Sequence, residues 1–315
     1  MKGRRTLVTG AGGFVGANLI RRLRSEGAEV HAAVRPGAPP WRFADLENDV
    51  VVHPVDLVAS DAARRLVDDV RPHLVFHLAA YGAYSWQRDL RAMVEMNVLA
   101  TQALLDACQQ AEVERVVHAG SSSEYGDKDG APAEDELLEP NSHYAVTKAA
   151  ATHLCALAAR TGPPVVTLRL YSVYGPWEDP GRLVPTLLRL ALRGELPPLV
   201  DPSTPRDFVY VDDVTEAFVR AATVPLPSPH RIYNIGSGQQ STVGDLVALV
   251  RSRLGVVTEP RWGVHAPRAW DLRTWVADPG RAREELGWEA VTTLDQGLES
   301  TIGWMRAGVG APTDG

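Results

Sequence analysis

Short apolar runs rich in Val, Leu and Ala alternate, along the first half of the chain, with stretches in which apolar residues recur every three or four positions. The runs Thr6–Val8, Glu29–Val34, Val50–Pro54, Leu74–Leu78, Arg115–Ala119 and Val165–Leu170 read as strands. The stretches Gly16–Glu26, Asp61–Val70, Leu90–Gln110 and His143–Arg160 read as helices. Continuously apolar strands alternating with helices predict a parallel sheet covered on both faces. Residues 1–172 thus read as a doubly wound α/β domain, in which ligands sit beyond the carboxyl ends of the strands. From Tyr171 onward proline becomes dense, and short helices such as Leu183–Leu192 and Val243–Leu254 are separated by long loops. This part, 173–315, reads as a smaller α/β substrate domain, with residues from about 205 to 240 contributing to the first domain.

Charge and cysteine content narrow the function classes. With 32 Lys plus Arg against 39 Asp plus Glu the net charge is -7, whereas a nucleic-acid-binding surface calls for a basic excess. Cys108 and Cys155 stand 47 residues apart and match no metal or redox spacing, so no metal is expected and both read as reduced core thiols. No apolar stretch is long enough to span a membrane, and the basic start followed by LVTGAGGFVGANLI lacks a cleavage signal. The expected setting is cytoplasmic, without a nucleic-acid or membrane partner.

Three motifs carry chemistry. In Thr9-Gly10-Ala11-Gly12-Gly13-Phe14-Val15-Gly16, between the first strand and first helix, Gly10, Gly13 and Gly16 fall three apart. Glycine there permits a tight turn and lets backbone N–H groups and a helix N-terminus meet a pyrophosphate. Tyr144 and Lys148 stand four apart on one helix face. An ammonium beside a phenol stabilises the phenolate and lowers its pKa, which would make Tyr144 an acid/base for carbonyl–alcohol interconversion. Gly120-Ser121-Ser122-Ser123-Glu124-Tyr125-Gly126 puts hydroxyls at the carboxyl end of a central strand, within reach of a substrate oxygen.

With these motifs in this order the sequence resembles the extended short-chain dehydrogenase/reductase family, in its nucleotide-sugar epimerase, dehydratase and 4-ketoreductase group. HLAA at 77–80, NVLAT at 97–101, RLYSVYGP at 169–176, RDFVYVDD at 206–213 and WVADPGRAREELGW at 275–288 extend the resemblance over nearly the whole chain. It implies a Rossmann fold in which Gly10, Gly13 and Gly16, with the amides of Phe14 and Val15, cradle the cofactor pyrophosphate. It places Asp56 and Leu57 beside the adenine, and Leu78, Ala79 and Ala80 under the cofactor ribose. Tyr144 would be the acid/base, and Lys148 would bond the nicotinamide ribose. The family's Ser/Thr falls on Ser121, or on Ser122 if Glu124 is matched to the family's common acidic residue. Arg206 and Arg268 resemble the pair that clamps the sugar-nucleotide diphosphate, and Asp271 a nucleotide-ribose ligand. Ser172 stands where Asn is frequent, a departure from the family's pattern at one expected substrate-phosphate contact.

The cofactor is read at the end of the second strand, about 20 residues past the glycine turn, where an acid would bond the ribose of NAD. Val34 stands there, followed by Arg35, a cation suited to a 2′-phosphate. NADP(H) is therefore the expected cofactor, with NAD(H) as the alternative. Gapless pairing puts Ser122 and Ser123 where the family's dehydratases carry an Asp-Glu pair, which argues against dehydration. The expected reaction is NADPH-dependent reduction of the C4 keto group of a nucleotide-linked 4-keto-6-deoxyhexose. The alternative is an NAD-dependent nucleotide-sugar 4-epimerase using the same residues. Ala, Leu and Val on more than one face of Leu90–Gln110 and His143–Arg160 predict a homodimer seam.

Overall fold

Each apolar run of the first half is a strand in the computed structural model, which describes residues 1–38, 40–46, 49–84, 86–264 and 273–308. The chain opens with β1 (Arg5–Thr9), α1 (Phe14–Ser25), β2 (Glu29–Val34), β3 (Val51–Pro54), α2 (Ala62–Val70) and β4 (Leu74–His77). After α3 (Leu90–Val94) a π-helical turn at Glu95–Leu99 leads into α4 (Ala100–Gln110), then β5 (Arg115–Ser121), α5 (His143–Ala158) and β6 (Val165–Leu170). The rest comprises β7 (Ser172–Tyr174), α6 (Leu183–Ala191), β8 (Pro205–Arg206), β9 (Phe208–Tyr210) and α7 (Val211–Thr223). It ends with β10 (His230–Ile235), β11 (Ser241–Thr242), α8 (Val243–Leu254) and α9 (Leu294–Arg306).

Among the described residues seven strands pair in parallel in the order β10-β6-β5-β4-β1-β2-β3. The order reverses between β1 and β4, the switch point where such sheets open a crevice for ligands. Leu19, Ile20 and Leu23 of α1 pack with Val214 and Phe218 of α7 in one core cluster. Leu66 and Val67 of α2, Leu104 and Cys108 of α4 and Cys155 of α5 form another. Each fully buried Leu or Phe contributes roughly 1.5–3 kcal/mol. The Arg22–Glu216 ion pair between α1 and α7, 2.5 Å long and partly exposed, adds about 1 kcal/mol at most, so apolar packing holds the layer. Both cysteines are unpaired and buried, and burial pushes both thiols up, which leaves them inert.

The helix expected over Leu90–Gln110 runs unbroken from α3 into α4 but carries a π turn within it. The π turn widens the backbone at Glu95–Leu99, a device that re-aims one side chain without ending the helix. The side chain that benefits is Asn97, buried and bonded to Tyr81 N (2.8 Å), Tyr81 O (2.8 Å) and Thr147 Oγ1 (2.9 Å).

Beyond β6 the chain builds a separate cluster from Leu187, Leu188, Leu246, Val250 and Leu298. Two small pairings accompany it, β7 with β9 in parallel and β8 with β11 antiparallel. β10 returns to the edge of the large sheet beside β6. Buried Asp207, between β8 and β9, accepts from Ser237 N (2.7 Å), Ser237 Oγ (2.6 Å), Gly238 N (3.0 Å) and Ala277 N (2.9 Å), tying three segments together. Among the described residues no helix is long and apolar enough to cross a membrane.

Candidate active site

The glycine turn follows β1 and faces the segment after β4. Gly10 has φ +68°, and a Cβ on it would lie 2.6 Å from Ala79 N. A Cβ on Gly16 would lie 2.3 Å from the Gly10 carbonyl oxygen, so neither position admits another residue. Gly13 is the N-cap of α1 and offers no side-chain cap, which leaves the first-turn N–H groups of Phe14, Val15 and Gly16 for an anion. The glycines let the turn pack tightly on the segment after β4 and on itself, and the uncapped helix N-terminus beside it fits a dinucleotide pyrophosphate. In that segment Leu78 and Ala79 are partly buried, and Ala80 is exposed. Leu57 is buried, while the exposed Asp56 carboxylate accepts from Val58 N at 3.1 Å. At the end of β2 Val34 is partly buried and Arg35 exposed.

Three sequence-predicted residues converge at the carboxyl end of β5. Ser121 caps the 3₁₀ turn that follows, accepting from Ser123 N at 3.2 Å while its own N–H donates to Glu124 Oε1 at 2.8 Å. Its hydroxyl lies 2.7 Å from Ser123 Oγ and near enough to the Tyr144 phenol to favour its ionisation. Ser142 caps α5 through Ala145 N at 3.2 Å, and the helix then carries Tyr144 and Lys148 on one face. Lys148 Nζ donates to the Ala119 carbonyl at 2.6 Å.

A lowered pKa of Tyr144 is not found in the ligand-free protein. Desolvation, seconded by the charge of Glu124, pushes the phenol up to about 12, and it is the Ser121 hydroxyl and the charge of Arg182 that oppose this. Lys148 is itself buried and directed at β5, and burial draws its pKa down. Without ligands Tyr144 is therefore a protonated donor at neutral pH.

Buried Ser122 lines a small cavity with Tyr125, Tyr171 and Trp275. Arg206 donates to the Pro205 carbonyl at 2.7 Å, and its guanidinium lies 5.7 Å from the centre of the Trp275 ring. Arg268 and Asp271 lie outside the described residues. Among the described residues no group of three His, Cys, Asp or Glu could hold a metal ion.

Comparison with known proteins bears on this arrangement. A family model described as the NAD dependent epimerase/dehydratase family matches residues 6–236. The chain belongs to this family. The UDP-glucose 4-epimerase of Mycolicibacterium smegmatis is 33% identical over 313 residues, covering 96% of this chain and 98% of that protein. The solved structure of MoeE5 in complex with UDP-glucuronic acid and NAD is 36% identical with a TM-score of 0.86, covering 96% of this chain and 99% of that one. The UDP-glucuronic acid 4-epimerase from Bacillus cereus, also solved with UDP-glucuronic acid and NAD, is 28% identical with a TM-score of 0.85, at 96% and 99% coverage. The chain is thus an enzyme of the extended short-chain dehydrogenase/reductase type. Its relatives favour the epimerase and NAD alternatives over the 4-ketoreductase and NADP readings.

The structure also brings to the cleft of this family member residues that sequence reasoning passed over. Arg42 is buried against the glycine turn, donating to Gly12 O at 3.2 Å and Trp177 O at 2.8 Å. Arg182, the N-cap of α6, places its guanidinium 4.9 Å from the centre of the Tyr84 ring and close enough for its charge to act on Tyr144. Gly82 abuts the same phenol, since a Cβ on it would lie 3.0 Å from Tyr144 Cδ2. None of these stands in a periodic segment, so no hydrophobic pattern marks them.

Proposed function

We propose that this protein is a nucleotide-sugar 4-epimerase that works with NAD, with UDP-hexoses or UDP-hexuronates as the first substrates to test. The observation that carries the reading is the meeting of Ser121, Tyr144 and Lys148 at the carboxyl end of β5, on the same edge of the sheet as the glycine turn after β1. Nicotinamide, when bound, accepts a hydride and returns it. In the loaded site Tyr144 would act as the phenolate, its Oη taking the proton of the C4 hydroxyl as the C4 hydride leaves. After the 4-keto sugar has turned, Tyr144 gives the proton back to the same oxygen, so no cofactor is consumed. Ser121 bonds that oxygen, and Lys148 stabilises the phenolate and bonds the nicotinamide ribose. Phe14, Val15 and the three glycines hold the pyrophosphate, with Asp56, Leu57, Leu78, Ala79 and Ala80 lining the adenosine and ribose. Ser122, Arg206, Arg268 and Asp271 serve the nucleotide-sugar.

A second reading, 4-keto-6-deoxyhexose reduction by NADPH, is favoured by one observation, Val34 in place of an acid at the end of β2 with exposed Arg35 next to it. Cofactor extraction separates the two. The epimerase is expected to release about one NAD per chain on denaturation and to interconvert 4-epimers without added cofactor. Cofactor-free protein that oxidises NADPH one for one with a 4-keto sugar overturns it.

The proposal includes a homodimer. Exposed Leu90, Val94 and Leu99 on α3 and its continuation, with Val146 and Leu157 on α5, leave apolar surface on neighbouring helices. Light scattering at micromolar concentration is expected to return twice the 34.1 kDa chain mass, and a monomer refutes it.

A further inference from the structure

Behind the proposed proton-transfer pair lies a buried stack of two histidines that no step above uses. His77 of β4 and His118 of β5 are register partners, with ring centroids 5.7 Å apart and planes inclined by 29°. His77 is closed on both sides, its Nδ1 2.7 Å from Thr9 Oγ1 and its Nε2 2.9 Å from Thr101 Oγ1. His118 is different. Its Nδ1 lies 3.4 Å from Thr167 Oγ1, and its Nε2 lies 3.2 Å from Lys148 Nζ.

An ammonium has three donors and no acceptor, so a ring nitrogen at that distance must offer it a lone pair. His118 is then neutral, with its proton on Nδ1 and directed at Thr167. Its surroundings agree. Burial, followed by the charges of Lys148 from α5, His77 from β4 and His230 from β10, holds the His118 ring well below the usual imidazole range. His77 is drawn down to about 3 by burial and Lys148. On its other sides Lys148 faces the charge of Glu124 and the thiol of Cys155, both of which favour the ammonium.

We propose that His118 is a positioning residue for Lys148: its bare Nε2 and the Ala119 carbonyl take two of the three ammonium N–H bonds, fixing the charge beside the cleft and leaving the third for the reaction. The inference rests on the Tyr144–Lys148 reading above. Its physical content is a sign. A buried ammonium that loses an acceptor is destabilised relative to the amine, so Lys148 would deprotonate at lower pH. A neutral amine no longer supports the phenolate, and activity would fail earlier on the alkaline side.

The test compares pH profiles of kcat/KM for wild type, His118→Phe and His118→Gln. Phe fills the space beside His77 without an acceptor, and its alkaline limb is expected about one pH unit or more lower, since a charge-assisted hydrogen bond is worth about that shift. Gln restores an acceptor oxygen, and its limb is expected near that of wild type. A Phe profile that superimposes on wild type while only Tm falls overturns the proposal. Should the Phe variant not fold, ¹⁵N-histidine spectra of the wild-type protein decide. A bare Nε2 and protonated Nδ1 from about pH 6 to about pH 9, with a displaced Nε2 signal in Lys148→Met, support the assignment, and an Nε2–H ring overturns it. Tyr144→Phe serves as control. Turnover surviving in that variant refutes the underlying reading, whereas an inactive Tyr144→Phe beside an unchanged His118→Phe profile refutes this inference alone.

Discussion

Tyr144→Phe is expected to lower kcat for 4-epimer interconversion by about 10²–10⁴, the usual range for removing a positioned acid/base, while dinucleotide retention stays within about twofold. The substitution removes one oxygen and keeps the ring, whose edge is fitted against Gly82. What is lost is the phenol that stands near Ser121 at the end of β5. Desolvation places this phenol near about 12, so in the ligand-free protein it is protonated throughout the neutral range. In the ligand-free protein Ser121 and the Arg182 charge favour ionisation and the Glu124 charge opposes it, and the proposed role of Lys148 is to supply the rest when the site is loaded. Steady-state kcat with a UDP-hexose or UDP-hexuronate and the NAD content of the purified variant are the measurements. A Phe variant with more than about a tenth of wild-type kcat would show that another group moves the proton.

The large sheet is legible in the residues because its signals are local. Glu29–Val34 is flanked by Gly27 on one side and Pro36-Gly37 on the other, and it folds with the limits its apolar run suggests. The glycine turn is equally plain, because Gly10 and Gly16 stand where backbone or carbonyl leaves no room for a Cβ. The π turn is not, since one extra residue in Glu95–Leu99 hardly disturbs the apolar spacing of Leu90–Gln110, and Asn97 looks like any polar helix residue until Tyr81 and Thr147 are beside it. Arg42 and Arg182 are brought to the cleft by loops that carry no period. The direction of Lys148 is a tertiary outcome as well. Its i, i+4 relation to Tyr144 puts both on one face of α5, but the Ala119 carbonyl and His118 of β5 decide where the ammonium rests.

Glu124 links the site to stability, and Glu124→Gln is expected to cost about 3–5 kcal/mol of unfolding free energy, the range for breaking a buried ion pair by neutralising one partner. The Glu124 side chain is fully buried and accepts from three donors: Ser121 N at 2.8 Å, Thr152 Oγ1 at 2.9 Å and Arg169 Nε at 3.0 Å. Arg169 is nearly as deep, donates also to Glu134 O at 3.0 Å, and lies 4.5 Å from the centre of the Tyr125 ring. A glutamine amide would turn an N–H₂ toward one of these donors and leave the guanidinium charge without its counter-ion. Exposed ion pairs of the same chain, such as Arg64–Asp68 at 3.4 Å, would cost under about 1 kcal/mol on the same change, because water replaces the partner. Urea unfolding followed by circular dichroism gives the loss directly. The double replacement Glu124→Leu with Arg169→Met should recover part of it, since an apolar pair carries no desolvation penalty while Ser121 N, Thr152 Oγ1 and Glu134 O still lose a partner. Without the acceptor for Ser121 N the double variant's kcat should remain below wild type even where stability is regained. A single Glu124→Gln variant within about 1 kcal/mol of wild type would mean that the network is wetter than its burial indicates, and that Ser121 is held by the 3₁₀ turn alone.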